Sequence, residues 1–309
     1  MPPLRLKQIW QNVALATITV CGLIVLGYLS LRLPTACAPL GKGSYSIPVW
    51  SPDGAFLAFQ FRSSQTSDEL WLLEMTTREL HKLNTGGRLT ALFGLQWEDA
   101  QTLWAVDHLG RTNHLSLISP SDIYRINATS GEPEDVVETV WDLGGFAIHP
   151  GRDEIVLSER YDRLNVYSFD TEAGVGALLR QLPIRGRKPM WSPDGMQLAF
   201  IGVENQLSTG HLLIERDGLY VDLDLSIVNW ASAFGWSPDS QRLLFVGDYR
   251  APGLYVVPND GRTAPTLILA GSYESVAWSP DGLNIAYTTT GVPGSNELCI
   301  VDTETLGLP

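Results

Sequence analysis

The chain has 309 residues, 44% of them apolar, which is enough to bury a sizeable core and excludes a disordered chain. Its 21 basic and 34 acidic residues leave a formal charge of -13, which excludes a general nucleic-acid binder because neutralising phosphates needs a basic surface.

In chain order, residues 1–9 form a short tail carrying Arg5 and Lys7. Trp10–Leu31 then runs without a charged residue over a length that spans a bilayer as a helix, predicting a transmembrane or signal-anchor helix over residues 10–32. The tail then stays in the cytoplasm, and the remainder lies outside it, in a periplasmic or extracellular compartment. Two other fates are open for this segment: a cleaved signal peptide, leaving a secreted protein, or a lipoprotein signal ending at Cys37 in "LPTAC". The run is longer than the roughly 7–15 residues of a usual signal core, which favours retention. Residues 33–46 read as a linker and possible ring-closing strand, and residues 47–309 as the folded part. Cys21 lies in the apolar run, so Cys37 and Cys299 permit at most one bridge in or near the folded part.

The folded part opens on "IPVWSPDGAFLAFQ", and the tetrapeptide WSPD occurs four times, at Trp50, Trp191, Trp236 and Trp278. Seven residues after each Trp stands an aliphatic residue (Leu57, Leu198, Leu243, Ile285), and nine after it an aromatic one (Phe59, Phe200, Phe245, Tyr287). That period of two is a strand signature. Two weaker copies fill the gaps. "GLQWEDAQTLWAV" keeps Trp97 with a turn one residue shorter, and "FAIHPGRDEIVLSE" keeps Pro150 with Ile148 in the Trp place. The anchors are spaced by 47, 51, 43, 45 and 42 residues, a period that with several short strands per unit marks a β-propeller. In the fifth unit "SAFGW" is the inner strand A, "RLLFVG" is B, "GLYVVP" is C and "TLILA" is the outer D. The expected fold class is therefore all-β: a six-bladed β-propeller preceded by one N-terminal helix.

Ser-Pro-Asp-Gly suits the A–B turn. Pro presets φ, Asp bonds back to the local backbone, and Gly takes the left-handed conformation that follows. Asp53, Asp194, Asp239 and Asp281 are thus expected to hold turns, as are Gly54, Gly195 and Gly282, while the Trp side chains pack between blades. Ser240 replaces Gly in the fifth unit and should carry strain if φ there is positive.

WSPDG followed by an aliphatic-small-aromatic triplet resembles the repeat of TolB-type six-bladed propellers, which is also found in the propellers of prolyl oligopeptidase-like and tricorn-like proteases. The resemblance covers about Ile47–Asp302 and implies the fold far more than any function. The α/β domain that precedes the TolB propeller has no counterpart in this sequence. The sixth unit reaches strand C in "ELCIVD", so its outer strand comes either from the tail Thr303–Pro309 or, as closure of the ring favours, from "PLGKGSYSI" at residues 39–47. The latter would bring Cys37 toward Cys299 and allow a disulfide. The alternative is a buried Cys299 with Cys37 free or lipidated.

Catalytic motifs are missing from the sequence: no G-x-S-x-G, no H-E-x-x-H, no pair of C-x-x-C and no Gly-rich phosphate loop. His108 and His114 share one long loop with Asp107 but lack the ligand set of a metal site, and neither metal nor cofactor is expected. The loops joining B to C and D to A carry nine Arg or Lys against eight Asp or Glu, whereas residues 47–309 as a whole carry 17 against 34. Charge is therefore polarised between the faces. On the more basic face, Arg160 and Arg163 in "ERYDR" and Arg185, Arg187 and Lys188 in "PIRGRKP" form the candidate docking site for an acidic partner, Arg being the better fork for a carboxylate. The sequence thus reads as a monomeric, non-catalytic scaffold or recognition propeller that binds a protein or envelope component. The competing reading is a lactonase-like or cyclase-like enzyme working at the central channel.

Overall fold

Strands form wherever the sequence alternates, and antiparallel pairing gathers them in fours. The computed structural model describes residues 36–37, 43–63, 68–87, 89, 91–108, 120–141, 143–160, 162–170, 173–203, 210–223, 233–247, 250–290 and 296–308. The helix expected over residues 10–32 lies outside them, as do His114 and the side chain of His108. Among the described residues no helix is long and apolar enough to cross a membrane.

From inner to outer strand, blade 1 is Ser44–Trp50, Phe56–Arg62, Glu69–Glu74 and Leu80–Lys82, and blade 2 is Leu92–Trp97, Thr102–His108, Pro120–Asn127 and Pro133–Trp141. Blade 3 is Gly145–Ile148, Glu154–Glu159, Arg163–Asp170 and the first part of Gly174–Trp191. The second part of that strand starts blade 4, which continues through Leu198–Gly202, His211–Arg216 and Leu219–Asp222. Blade 5 is Phe234–Trp236, Arg242–Val246, Gly253–Pro258 and Thr266–Ala270, and blade 6 is Tyr273–Trp278, Asn284–Thr289 and Leu298–Asp302.

Strand B of each blade is buried on both faces because it is sandwiched between two neighbours. Leu57 and Phe59 pack toward blade 6, whereas Ala58 packs toward blade 2. The same division recurs around the ring, giving one apolar cluster at each of six seams. The inner strand of blade 1 touches those of both blade 2 and blade 6, so the ring is closed. Trp50 pairs with Leu57 seven residues on, but Trp97 pairs with Leu103 only six residues on, matching the shorter turn read from that copy.

Two expectations are corrected. The outer place in blade 6 is taken by Ala36–Cys37, within the stretch 33–46 expected to close the ring but ahead of residues 39–47, because Ser44–Ile47 already begin the inner strand of blade 1. The tail instead turns into a short 3-10 helix, Glu304–Leu306. Second, residues 183–188 are not a loop. One 18-residue strand, Gly174–Trp191, leaves the outer edge of blade 3 and enters the centre of blade 4 without a break, joining the two blades into a seven-stranded sheet.

Candidate functional site

The WSPD turns are built alike, and each polar atom is used locally. Ser51, Ser192, Ser237 and Ser279 donate their hydroxyls to Asp53, Asp194, Asp239 and Asp281, and each Asp Oδ1 also accepts the backbone N–H two residues on, at 2.9–3.0 Å. Ser51 and Asp53 share the bond that, with the Ala55 N–H, holds the Asp53 carboxyl below its usual range. Burial alone would raise Asp194 and Asp239, but these hydrogen bonds outweigh it and both are lowered. Gly54, Gly195 and Gly282 have φ of 72°, 71° and 77°, and Ser240 is forced to 58° in the same place. Its hydroxyl accepts the Asp194 N–H at 3.1 Å, a bond no glycine could make. His149, in the Ser place of blade 3, accepts the Gly151 N–H at Nδ1 and lies 3.0 Å from the Gly195 carbonyl at Nε2, clipping two neighbouring turns together.

Above these turns the inner strands surround an apolar cavity of about 350 Å³. Its lining includes Val49, Phe146, Met190, Phe234 and Val276, and among the described residues around it none is titratable. Three of the five anchor Trp side chains form an interblade ladder, each indole N–H reaching the carbonyl one residue before the anchor of the preceding blade. Trp50 donates to Ala277 at 3.3 Å, Trp97 to Val49 at 3.1 Å and Trp236 to Met190 at 3.1 Å. Where Ile148 supplies no indole, the Gln96 side chain bonds both the N–H and the carbonyl of Ile148, at 3.0 and 2.9 Å. Trp278 turns to Gly282 of its own blade, and the buried Trp191 Nε1 has no hydrogen-bond partner among the described residues. Gln96 carried no signal in the sequence, since its role depends on what is missing one blade away.

The five basic residues lie near one another on blades 3 and 4 but divide into two groups. Arg187 forms a two-point ion pair with Asp162, and the Asp162 carbonyl accepts the Gly186 N–H at 2.8 Å, so Arg187 braces the B–C turn of blade 3 against the crossing strand. Lys188 occupies a bulge in the inner strand of blade 4 with φ of 51°. It keeps exposed surface, yet dense surroundings strip hydration and hold its ammonium below the usual lysine pKa. Arg187 is thus committed to Asp162, although both it and Lys188 keep exposed surface. Arg160, Arg163 and Arg185 are exposed and form no ion pair among the described residues. Arg163 stands directly opposite Arg185 in the strand pairing, which puts the two Cβ atoms on one face roughly 4.5–5.5 Å apart. Glu159, the other cross-strand neighbour of Arg163, is engaged elsewhere: it accepts from the Tyr167 hydroxyl and, at 2.8 Å, from the Asn165 amide. Burial, reinforced by that bond to Glu159, pushes the Tyr167 phenol up to about 12.

Cys37 and Cys299 are joined, with an S–S distance of 2.10 Å and Cα atoms 4.0 Å apart. On the inner side of the seam, Asn296 clasps the inner strand of blade 1. It accepts the Tyr45 N–H at 2.6 Å and donates to the Tyr45 carbonyl at 2.8 Å.

No family model and no curated protein matches the chain. Solved structures do. TolB from Acinetobacter baumannii is 14% identical with a TM-score of 0.57, and the match covers 84% of this chain and 63% of that one, so the chain spans less than two thirds of its length. A structure titled putative TolB from Agrobacterium tumefaciens is 19% identical with a TM-score of 0.57, covering 84% of this chain and 90% of that one. An oligogalacturonate lyase from Vibrio parahaemolyticus is 13% identical with a TM-score of 0.56, covering 84% and 78%. At these identities the likeness is one of architecture, shared by proteins whose names differ in function, and the fold of this chain is a TolB-like β-propeller.

Proposed function

We propose that the chain is a non-catalytic recognition propeller, acting as a monomer outside the cytoplasm, that binds an acidic segment of a protein or envelope component through Arg160, Arg163 and Arg185. The observation that carries this reading is the Arg163–Arg185 pair. Like charges directly opposite in a sheet are destabilising, and the nearby carboxylates Asp162 and Glu159 are used by Arg187, Tyr167 and Asn165. A carboxylate-bearing ligand would relieve that repulsion with bidentate bonds. The apolar run ahead of the propeller, the disulfide and the TolB-like architecture all support a place outside the cytoplasm. A binding role is favoured over acid–base chemistry in the channel because the cavity lining offers no titratable side chain among the described residues.

The test uses a fluorescein-labelled oligoglutamate peptide and fluorescence anisotropy at low salt. The double reversal Arg163→Glu/Arg185→Glu should weaken binding by about 10-fold or more, as expected for two lost charge-assisted contacts. Reversal of Arg262, an exposed residue in the C–D turn of blade 5 on the opposite face, should leave it unchanged. Equal affinity of the wild type and the double variant would overturn the site.

A further inference from the structure

The face formed by the A–B turns, opposite the one that carries Arg163 and Arg185, sets an apolar opening inside a ring of negative charge. All six anchors, from Trp50 to Trp278, line the central cavity, and so do the exposed Pro52, Pro150 and Pro193, so the cavity opens on this face. Around it the six turns, residues 51–55, 98–101, 149–153, 192–197, 237–241 and 279–283, hold seven Asp or Glu against a single base, Arg152. The motif aspartates Asp53, Asp194, Asp239 and Asp281 are all exposed. A hydrogen bond at Oδ1 positions such a carboxylate without removing its charge, and among the described residues only Asp239 of the four meets a base. Met196 and Leu283, two residues after Asp194 and Asp281, are exposed as well.

Such a face selects its partner twice. The cavity, walled by Trp, Pro and aliphatic residues, favours an apolar group, and the carboxylates around it favour cations. The chain displays this chemistry in miniature, since the Arg242 guanidinium lies 5.2 Å from the centroid of the Trp278 ring and 3.5 Å from Asp239. The wall also holds an unmet donor. Trp191 is nine-tenths buried, and its indole N–H has no hydrogen-bond partner among the described residues. A backbone carbonyl entering with an apolar side chain is the acceptor it lacks, which points to a polypeptide and not to a simple amine.

We infer that the turn face is a second docking surface: it takes a basic segment of a partner protein, seating one aliphatic side chain in the cavity and the flanking Lys or Arg on Asp53, Asp194, Asp239 and Asp281. At about 350 Å³ the cavity lies near the small end of ligand pockets, which suits a single inserted side chain and not a folded element. Hydrogen bonds hold the carboxyls of Asp53, Asp194 and Asp239 below their usual range, so the rim keeps its charge at mildly acid pH. This surface does not rest on the arginine site. The two faces select opposite charges, so one propeller can hold an acidic and a basic partner at once.

Fluorescence anisotropy of the full chain at about 0.15 M salt, where the two faces are screened from each other, tests this. The probes are fluorescein-labelled, amidated Lys-Lys-Leu-Lys-Lys and Lys-Lys-Ser-Lys-Lys. The leucine peptide should bind about 10-fold tighter than the serine one, and Asp53→Asn/Asp281→Asn, which keeps an Oδ1 acceptor in both turns, should weaken it about 5-fold or more. Trp191→Phe should weaken it several-fold. A Cβ at Gly235, in the cavity wall, would come no closer than 3.8 Å to any heavy atom beyond its chain neighbours, so Gly235→Leu should narrow the cavity and bring the two peptides to equal affinity. The double reversal Arg163→Glu/Arg185→Glu should leave the preference for leucine unchanged. Equal binding of the two peptides to the wild type would overturn the cavity as the anchor, and undiminished binding to the aspartate variant would overturn the rim. Loss of the leucine preference in the arginine variant would overturn the assignment to this face, and an unchanged affinity in Trp191→Phe would overturn the carbonyl contact. Displacement of the leucine peptide by an equal concentration of hexylamine would overturn the polypeptide in favour of a small amphiphilic amine.

Discussion

At the residue scale, the motif aspartates illustrate how a repeated carboxylate can be structural. Asp194 accepts the Ser192 hydroxyl and the Met196 N–H, so its Oδ1 is spent on the turn. Replacing it with Ala should cost about 1–2 kcal/mol in urea unfolding, the usual scale of a lost cap or charged hydrogen bond at a partly solvated turn. Its folded pKa is lowered, so that contribution is complete above the unfolded value near 3.8 and is lost as pH falls through the folded one. His149 behaves alike for a different reason. Burial, aided by Arg152, lowers its pKa against the opposing bond to Gly195, so below about 6.5 the unfolded chain takes up a proton that the folded chain refuses. Stability should therefore decline as pH falls from about 6.5, and His149→Gln should flatten that decline in melts across pH. The position was legible as a turn from Pro150 beside it, but the clip onto Gly195 was not, because Gly195 belongs to the next blade.

At the element scale, strands A and B were legible because a buried two-sided strand demands aliphatic and aromatic residues at fixed steps from Trp. The join between blades 3 and 4 was not. "PIRGRKP" carries the Gly, Pro and charge of a loop, yet it continues a strand because its backbone finds partners in Arg163 on one side and Gly202 and Ile201 on the other. The same misreading placed Arg185, Arg187 and Lys188 in a loop, when Arg187 is a brace and Lys188 a bulge on the inner strand. The indole ladder gives an element-scale prediction. Trp236→Phe removes the bond to Met190, whereas Trp191→Phe removes an N–H with no hydrogen-bond partner among the described residues, so the first should cost about 1 kcal/mol more than the second in denaturant unfolding. Equal costs would mean that the ladder contributes packing and no hydrogen-bond energy.

At the scale of the whole molecule, the ring must close between residues far apart in sequence, and Asn296 and the Cys37–Cys299 bond do this at inner and outer radius. Asn296→Ala leaves both backbone groups of buried Tyr45 without these partners, so a loss of about 2–4 kcal/mol is expected, read as a lowered unfolding midpoint in the oxidised protein. Six anchors spaced by 42 to 51 residues were sufficient for the blade count, since each unit can bury its apolar faces only against the next. Repetition thus made local structure, blade number and turn chemistry readable from sequence alone, because those depend on neighbours a few residues away. Which arginines form no ion pair among the described residues, which side chain replaces a missing indole and which segment completes the last blade depend on contacts between blades, and only the closed ring brings those residues together.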